Sequence, residues 1–501
     1  MLPLLSVAQV LLKIGGVLAL ATVISNPLSH ISGPWYTRWT TLPSVYFILT
    51  ARHPVWIHSL HERYGPVVRY APGEVDVSDP AAAQSIHAAK AGFLKSPLYS
   101  RLITDLSSVF NEIGPEVHRR YKRYLSGHMS ETGLKAFLPR IDDKVRLAIR
   151  KMAEESRGTR GAADVAKWLM FLSFDVIGDL IFGSSFGQLE RGEKNRPVDD
   201  FVNLGPAGGL RSMFPTLAKV SAVVPIPAFR AATLIQWRTF DYAQRALDSH
   251  QKQVEEAGGV DPRPTVFSRL YSATAEESWT PVEVRDNAQV FIVGGSDTTA
   301  NSMIYLLWSV CRGPRIKARL LAELDTLTPD EGGDGQDFSY EQLRDLPYVN
   351  WVVNETLRLY TALSRGLPRL VPQGGTTLVD KFLPAGATVT TQAYSLHQDE
   401  TAFPDPYKFY PERWENTTQR MKDCTMPFGG GARTCLSRHL ARIELRLITA
   451  RFFKAFPDAV VSDLEGMSDK DMEPALHFLM VPSGHRCLIR TEGPGEKKAC
   501  K

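Results

Sequence analysis

A glycine loop that leads into an apolar helix presents Cys435 as a possible metal ligand. Residues 427–434 read PFGGGART, and apolar residues recur at helical spacing from Leu440 to Ile448. Glycines allow the backbone to approach a flat ligand closely. The unpaired N–H groups and partial positive charge of a helix N-terminus favour a thiolate over a thiol. The pattern predicts that Cys435 is an anionic sulfur ligand suited to iron; the alternative is a buried free cysteine that only packs.

A second candidate site lies inside a long apolar helix, predicted from Pro281 to about Cys311. Thr280 and Glu283 form a capping box at its start. Residues 294–299 read GGSDTT, although paired glycines and hydroxyl side chains weaken a helix. The glycines would open space for a ligand, and an acid beside a hydroxyl, Asp297 with Thr298, can pass protons. The alternative is a polar kink in a buried helix.

Two further charged motifs need an explanation. Residues 118–123 read HRRYKR, a basic run whose simplest interpretation is a solvated helix face. Glu355 and Arg358 lie three apart on a predicted helix, where most such pairs are exposed salt bridges of little energetic value.

Together these motifs, in this order, resemble the cytochrome P450 family, and the resemblance covers essentially everything after residue 25. The family's haem loop has the pattern Phe-x-x-Gly-x-Arg-x-Cys-x-Gly. Ser437 stands where the family usually has the last glycine. Residues 294–298 fit the family's oxygen-activating pattern Ala/Gly-Gly-x-Asp/Glu-Thr. The loop matches at four positions: Phe428, Gly431, Arg433 and Cys435.

The resemblance implies haem b with Cys435 as its axial thiolate. It implies that Thr298 hydrogen-bonds dioxygen and that Asp297 relays protons. Glu355 and Arg358 would join Arg413 in a buried structural triad. His118 and Lys122 replace the Trp and Arg of the family's propionate-binding helix, but both keep a hydrogen-bond donor. The expected propionate-binding cations are therefore His118, Lys122, Arg369 and Arg433.

The implied fold is mainly α-helical, an α-helical domain with a small β-rich subdomain, over residues 54–490. The implied activity is a monooxygenase that hydroxylates or epoxidises a lipophilic small molecule, with NADPH electrons delivered by a separate cytochrome P450 reductase. Several segments are similar to fungal members that tailor terpenoids, polyketides or alkaloids. Two alternatives stay open: a haem-thiolate isomerase, dehydratase or peroxygenase, and a membrane-tethered haem carrier or sensor. The intact Asp297-Thr298 pair favours the monooxygenase.

Partner surfaces follow from the same resemblance. A docking face for the acidic reductase is expected on two helices, from Arg119, Arg120, Lys122, Arg123, Arg438 and Arg442. The substrate pocket is expected to be apolar, with walls from Val293, Gly294, Leu363 and Leu367 and from residues near Phe110 and Phe478.

The N-terminal segment predicts a membrane anchor over residues 1–25. Residues 2–24 are almost wholly apolar, with Lys13 as the one charge, and roughly 20 residues are enough to cross a bilayer. The alternative is a cleaved secretory signal, although the expected basic head is missing. Arg38 and Arg52 follow the segment, so the positive-inside bias places the catalytic domain in the cytosol. This implies a single-pass protein of the endoplasmic reticulum membrane.

Composition and the remaining segments complete the prediction. The 501 residues exceed what one small core needs, and a net charge of +4 is too small to argue for nucleic acid. Five cysteines lack metal-ligand spacing, so neither a disulfide framework nor zinc is predicted, and a reducing compartment fits. Residues 26–53 are predicted to be a linker, 65–77 a hairpin, 201–229 a lid or an ordinary connection, and 491–501 a disordered tail.

Overall fold

The computed structural model describes residues 13–16, 26–103, 106–158, 161–221, 223–259, 261–268, 279–328 and 338–491. The chain forms two compact units, each assembled from separated segments. The first unit draws on Met1–Ser96, Ser364–Pro404 and Thr418–Thr434. The second draws on Pro97–Leu363, Asp405–Thr417 and Cys435–Lys501.

Helices dominate, as the resemblance predicts. Many begin with a proline in their first turn, where its missing N–H costs nothing. In chain order the α-helices span Leu42–Leu49 (α1), His53–Tyr64 (α2), Pro80–His87 (α3), Leu98–Leu102 (α4), Pro115–His128 (α5), Glu131–Leu134 (α6), Leu138–Gly158 (α7), Val165–Phe182 (α8), Gln188–Arg191 (α9), Arg196–Met213 (α10), Pro215–Val220 (α11), Pro227–Glu256 (α12), Pro281–Arg312 (α13), Pro314–Leu324 (α14), Tyr340–Arg344 (α15), Pro347–Leu359 (α16), Ala393–His397 (α17), Gln419–Cys424 (α18) and Arg438–Ala455 (α19).

Short strands form the small sheets. They span Val67–Ala71 (β1), Glu74–Val77 (β2), Leu94–Lys95 (β3), Ala162–Asp164 (β4), Arg369–Leu370 (β5), Thr376–Leu378 (β6), Lys381–Leu383 (β7), Thr388–Thr390 (β8), Val460–Val461 (β9), Pro474–Leu476 (β10), Met480–Pro482 (β11) and Leu488–Arg490 (β12). The second unit holds the sheet β4-β12-β9 and the pair β10-β11.

The main sheet of the first unit has the order β1-β2-β8-β5-β3, with β6 and β7 paired beside it. The predicted hairpin is confirmed, because β1 and β2 run antiparallel around Pro72-Gly73. Arg369 of β5 lies opposite Val389 of β8 on one side and Lys95 of β3 on the other. This sheet therefore fixes two cations at neighbouring positions.

The segment predicted to be a linker is instead folded into the first unit. Residues 26–53 contain a 3-10 helix at Trp35–Arg38 and helix α1. The fully buried guanidinium of Arg69 donates to the carbonyl oxygens of Leu28, at 3.1 Å, and Ile31, at 2.7 Å. A buried arginine is tolerated only when its donors are satisfied, and these carbonyls satisfy them. The prediction of a linker did not include this contact, which joins the segment to a distant arginine of β1.

The core of the second unit forms where the long helix α13 packs along α8. Both helices are buried around most of their circumference, as near-continuous apolar sequences require. The predicted capping box is present, since Thr280 accepts from the Glu283 N–H at 3.2 Å and Glu283 accepts from the Thr280 N–H at 2.9 Å. Helix α13 also packs against α19, which follows Cys435.

The segment 201–229, predicted to be a lid or an ordinary connection, contains helices. Helix α10 tolerates Pro206 in its interior, and α11 follows it directly. Val220 at the end of α11 and Val223 and Val224 between α11 and α12 are exposed. A run of exposed valines is unusual for a surface that faces only water.

The structure describes a short part of the N-terminal segment and follows the C-terminal segment as far as Thr491. Of the predicted anchor, residues 1–12 and 17–25 lie outside the described residues, and 13–16 form a helical turn. Across the described ranges no helix has the length and apolar character that crossing a membrane requires. At the other end, Thr491 is buried and its Oγ1 donates to Ser156 Oγ at 2.6 Å, while 492–501 lie outside the described residues.

Candidate active site

The glycine loop before Cys435 is seated on the end of helix α3. Gly431 has φ +60°, and an added Cβ would lie 1.7 Å from the carbonyl oxygen of His87. Gly429 also has a positive φ, of +69°. The close approach therefore requires glycine at 431, and the loop carries Phe428 and Arg433 on a backbone that few sequences can adopt.

Gly431→Ala is expected to destabilise the first unit by at least about 2 kcal/mol, from backbone strain and from the clash with His87. The matched control is Gly430→Ala. Gly430 has φ −136°, which alanine adopts readily, and its added Cβ would lie 3.1 Å from the Cβ of His87, a much milder approach than that at Gly431. Thermal unfolding of both variants measures the difference. Equal melting temperatures for the two variants would contradict the close approach.

Cys435 lies just before helix α19, which begins at Arg438. Among the four cysteines that the structure describes, Cys435 alone is exposed, whereas Cys311, Cys424 and Cys487 are buried. This contradicts the alternative of a buried packing cysteine. The accessible thiol is the one that a ligand can reach.

The pKa of Cys435 corrects one expectation. Burial raises the pKa of the thiol, although the Ser437 N–H and the charges of Arg438 and Lys122 lower it. The helix terminus acts as predicted, but desolvation outweighs it. Enough protein thus surrounds this accessible side chain to keep the thiol neutral until a cation displaces its proton.

Ser437 in place of the family glycine does not strain the backbone. It has φ −84° and ψ 14°, a conformation open to any residue. Its N–H donates to the Cys435 sulfur, which a serine does as well as a glycine. The departure from the family pattern leaves the loop geometry intact.

The two glycines of helix α13 differ in role. A Cβ added to Gly294 would meet no atom within 4 Å. At Gly295 it would lie 2.9 Å from Cδ1 of Ile177 on α8. The prediction that both glycines open space is therefore wrong for Gly295, which allows two helices to approach closely. The sequence alone does not distinguish a glycine that leaves room for a ligand from a glycine that allows two helices to pack closely.

Polar groups next to Gly294 are partly satisfied within the helix. Thr298 Oγ1 donates to the carbonyl oxygen of Gly294 at 2.6 Å. Asp297 differs, because its buried Oδ1 has no hydrogen-bond partner among the described residues. Burial raises the pKa of Asp297 to about 7, while the charge of Lys194 lowers it. A carboxyl that titrates near neutrality can both hold and release a proton.

The predicted propionate-binding cations are divided between the units. Arg369 is buried in β5 and donates to the Pro368 carbonyl oxygen at 3.1 Å, and Arg433 ends a 3-10 turn. In the second unit, His118 is buried on α5, and Lys122 follows it by one helical turn. Each unit therefore contributes two cations that could bind a carboxylate.

The structure brings the predicted triad together in the second unit. Glu355 and Arg358 are fully buried, and Arg358 Nε and Nη2 donate to the two Glu355 oxygens at 2.9 and 2.8 Å. Arg413 Nε donates to Glu355 Oε1 at 3.0 Å. Trp414 Nε1 donates to Glu355 Oε2 at 3.0 Å, a contact that the sequence analysis missed. Trp414 directly follows Arg413 in the sequence, and this adjacency is the signal that could have identified the contact.

The predicted docking face is smaller than expected. Arg120 pairs with Glu283, the capping residue of α13. Arg442 donates to Asn354 Oδ1 at 2.9 Å, and burial lowers its pKa to about 10. These two cations support the fold itself. Arg119 and Arg123 are exposed.

The residues present fit a haem. Among the described residues, Cys435 offers the accessible thiol as a soft ligand, Gly294 borders open space, and a buried carboxyl oxygen of Asp297 lacks a partner. Fold and donor set define a haem-thiolate protein. A family model described as Cytochrome P450 matches residues 37–488, so the chain belongs to the cytochrome P450 family and is a monooxygenase. Membership of this family implies a haem-thiolate cofactor.

Curated relatives from fungi match nearly the whole chain. Cytochrome P450 monooxygenase tazI of Aspergillus terreus is 42% identical over 469 residues, 93% of this chain and 94% of the relative. Cytochrome P450 monooxygenase orf2 of Aspergillus niger is 35% identical, covering 94% of this chain and 96% of the relative. Cytochrome P450 monooxygenase stcB of Emericella nidulans is 31% identical, covering 93% and 88%.

Proposed function

We propose that this monooxygenase hydroxylates or epoxidises a lipophilic small molecule in fungal secondary metabolism, using haem b ligated by Cys435. The accessible thiol of Cys435 carries the proposal, because it precedes helix α19 and α19 packs against the helix in which Gly294 borders open space. The fungal relatives support the biological context. A terpenoid, polyketide or alkaloid would suit an apolar site.

Each site residue has a proposed role. When bound, thiolate-ligated haem activates dioxygen and transfers one oxygen atom to the substrate. Cys435 would hold the cofactor through its sulfur, and Phe428 and Gly431 would shape the loop that precedes Cys435. Four cations bind the haem carboxylates: Arg369, Arg433, His118 and Lys122. The Thr298 hydroxyl, which donates to the Gly294 carbonyl oxygen at 2.6 Å, would be available to hydrogen-bond dioxygen, and Asp297 would supply protons.

Substrate-dependent NADPH oxidation with added cytochrome P450 reductase tests the monooxygenase chemistry. A lipophilic fungal extract first identifies ligands through shifts of the Soret band. Candidate ligands are then assayed with and without dioxygen. Product formation without dioxygen or NADPH would favour the isomerase or dehydratase, and product with hydrogen peroxide alone would favour the peroxygenase. Haem binding without any turnover would favour the carrier.

Asp297→Asn is expected to slow turnover at pH 6.5 by about 100-fold or more, because an amide cannot supply the proton. Since the pKa of Asp297 is raised to about 7, the carboxyl is protonated below that pH and ionised above it. Turnover of the wild type should therefore fall as pH rises through about 7. The Asp297→Asn variant should lack this inflection in its pH profile.

Lys194→Gln is the control for this assignment. The charge of Lys194 lowers the pKa of Asp297, so its removal should move the inflection to higher pH. Stability provides a second readout. Because the folded-state pKa is raised, the wild type loses stability as pH rises from the ordinary pKa of 3.8 through about 7, whereas the Asp297→Asn variant does not. An inflection that stays in the Asp297→Asn variant would contradict the role of Asp297.

We also propose that the electron donor docks on the exposed cations of α5. Arg119 and Arg123 are exposed and lie one helical turn apart. Reversing both charges should raise the reductase concentration needed for half-maximal turnover. The matched control reverses Arg150 and Arg157, two exposed arginines on α7, and changes net charge equally. An equal effect from both pairs would reduce the docking face to a net-charge effect.

We also propose that the chain is attached to a membrane, with its catalytic domain in the cytosol. Large apolar side chains between residues 35 and 49 are exposed, which supports contact with a bilayer. The largest exposed fractions are those of Trp35 at 64%, Leu42 at 71%, Tyr46 at 60% and Leu49 at 55%. In the first unit these residues directly follow the predicted anchor.

A natural glycosylation acceptor tests this topology. Asn416-Thr417-Thr418 has the N-x-T pattern, and Asn416 is exposed. In cells, a cytosolic catalytic domain leaves Asn416 unmodified, so endoglycosidase should not change the electrophoretic mobility. A luminal domain would be glycosylated there, and Asn416→Gln would remove the shift. Extraction at alkaline pH separates an anchored chain from a peripheral one.

A further inference from the structure

His87 is a buried histidine whose two ring nitrogens are treated differently. It ends helix α3, and its side chain is 6% exposed. Its Nε2 lies 2.7 Å from Thr391 Oγ1. Its Nδ1 is buried and has no hydrogen-bond partner among the residues that the structure describes. Leaving such a group unsatisfied is costly, so this nitrogen calls for a ligand that can bind it.

The residue is held in place against the glycine loop. Besides the contact of its carbonyl oxygen with Gly431, its Cβ would lie 3.1 Å from a Cβ on Gly430. Thr391 is fully buried and directly follows β8. Loop, helix end and sheet therefore position the imidazole together, with little freedom for it to move away.

A nearby cation helps to determine which ligand this position can take. The charge of Arg369 acts on the imidazole and, together with burial, lowers the pKa of His87 to about 3. Arg369 lies directly opposite Lys95, and both side chains are buried in the sheet. Two cations at directly opposite positions of a sheet make a site that attracts anions. The neighbourhood therefore favours a carboxylate over a cation or a neutral group.

The protonation state of the His87 ring determines which of its nitrogens can donate a hydrogen bond. A neutral imidazole carries one N–H. The Thr391 hydroxyl can donate to Nε2, which leaves the proton on Nδ1. The nitrogen without a partner is then a hydrogen-bond donor, as a carboxylate requires.

We propose that His87 is a cofactor-positioning residue whose Nδ1–H donates to a haem carboxylate that Arg369 also binds. This rests on the proposed haem site and adds a residue that the sequence analysis did not select. The interaction would fix the edge of the cofactor to the same helix end that fixes the glycine loop.

The matched variants His87→Asn and His87→Asp test this contact. The two side chains have the same shape. At the position of the histidine Nδ1, asparagine can place an N–H donor, whereas aspartate can place only an anionic acceptor oxygen. The measurement is the rate at which the holoprotein transfers its haem to excess apomyoglobin. His87→Asp should lose haem b about tenfold faster or more than His87→Asn, which should stay close to the wild type.

Haem dimethyl ester distinguishes a contact with the carboxylate from loop packing. Its carboxylates are esterified and uncharged, so the two variants should release it at similar rates. If His87→Asp and His87→Asn release haem b equally fast, or differ equally with haem b and the ester, the proposal is overturned. The reduced carbon monoxide spectrum of each variant keeps the tests separate, since a thiolate-type band shows that the Cys435 site is formed.

Discussion

Cys435→Ala is expected to abolish the strongly red-shifted Soret band that the dithionite-reduced protein gives with carbon monoxide. That band requires a thiolate ligand on the haem iron. Cys435 is the accessible thiol of the described cysteines; burial raises the pKa of this thiol, and the Ser437 N–H and the charges of Arg438 and Lys122 partly offset that effect. Substrate-dependent NADPH oxidation should fall to background in the same variant.

Cys311→Ala is the matched control for this experiment. Cys311 is free and buried on α13, in the same unit as Cys435. Its loss removes a sulfur without removing the ligand, so the red-shifted band should remain. Persistence of the band in the Cys435→Ala variant would identify another ligand. A wild type that is folded, supplied with haem and without the band would refute the haem-thiolate proposal.

Glu355→Gln is expected to destabilise the second unit by roughly 3–5 kcal/mol, because it leaves buried guanidinium charge uncompensated. Glu355 accepts from Arg358, Arg413, Trp414 and the Tyr410 N–H. Since domains are stable by only about 5–15 kcal/mol, this loss removes a large part of the stability, and the yield of folded holoprotein should fall. Denaturant unfolding and the yield of haem-loaded protein measure the loss.

The control keeps the spacing and changes the burial. Glu154 pairs with Lys151 at 3.0 Å, three residues apart on α7, and its side chain is 56% exposed. Glu154→Gln should change the free energy of unfolding by less than about 1 kcal/mol, as exposed pairs do. Similar losses from both substitutions would show that burial does not determine the strength of the Glu355 network.

The sequence predicted those parts of the fold that depend on local chemistry. The capping box at Thr280 and Glu283 and the turn at Pro72-Gly73 are each specified by neighbouring residues, and both were predicted correctly. The motif around Cys435 was likewise visible, because a glycine loop and a helix start are contiguous in the chain. Local rules such as these hold in most structural contexts.

What the sequence missed depends on residues distant in the chain. Ile177 determines that Gly295 packs against α8, and Glu283 determines that Arg120 is engaged within the fold. Arg69 folds the segment that was predicted to be a linker. Net burial sets the direction of the Cys435 pKa against the local helix terminus. In each case a tertiary contact outweighs the local preference.

The folded segment after residue 25 has a consequence for how the protein encounters its partners. Asn26 is already fixed to the first unit, since its Nδ2 donates to the Arg38 carbonyl oxygen at 3.0 Å. If an anchor ends at residue 25, no flexible residues would separate it from the folded first unit. The first unit would then keep one orientation relative to the bilayer and could not rotate freely about a flexible linker. Encounters with a membrane-bound electron donor would become two-dimensional searches at a set height, governed by lateral diffusion and by rotation about the membrane normal.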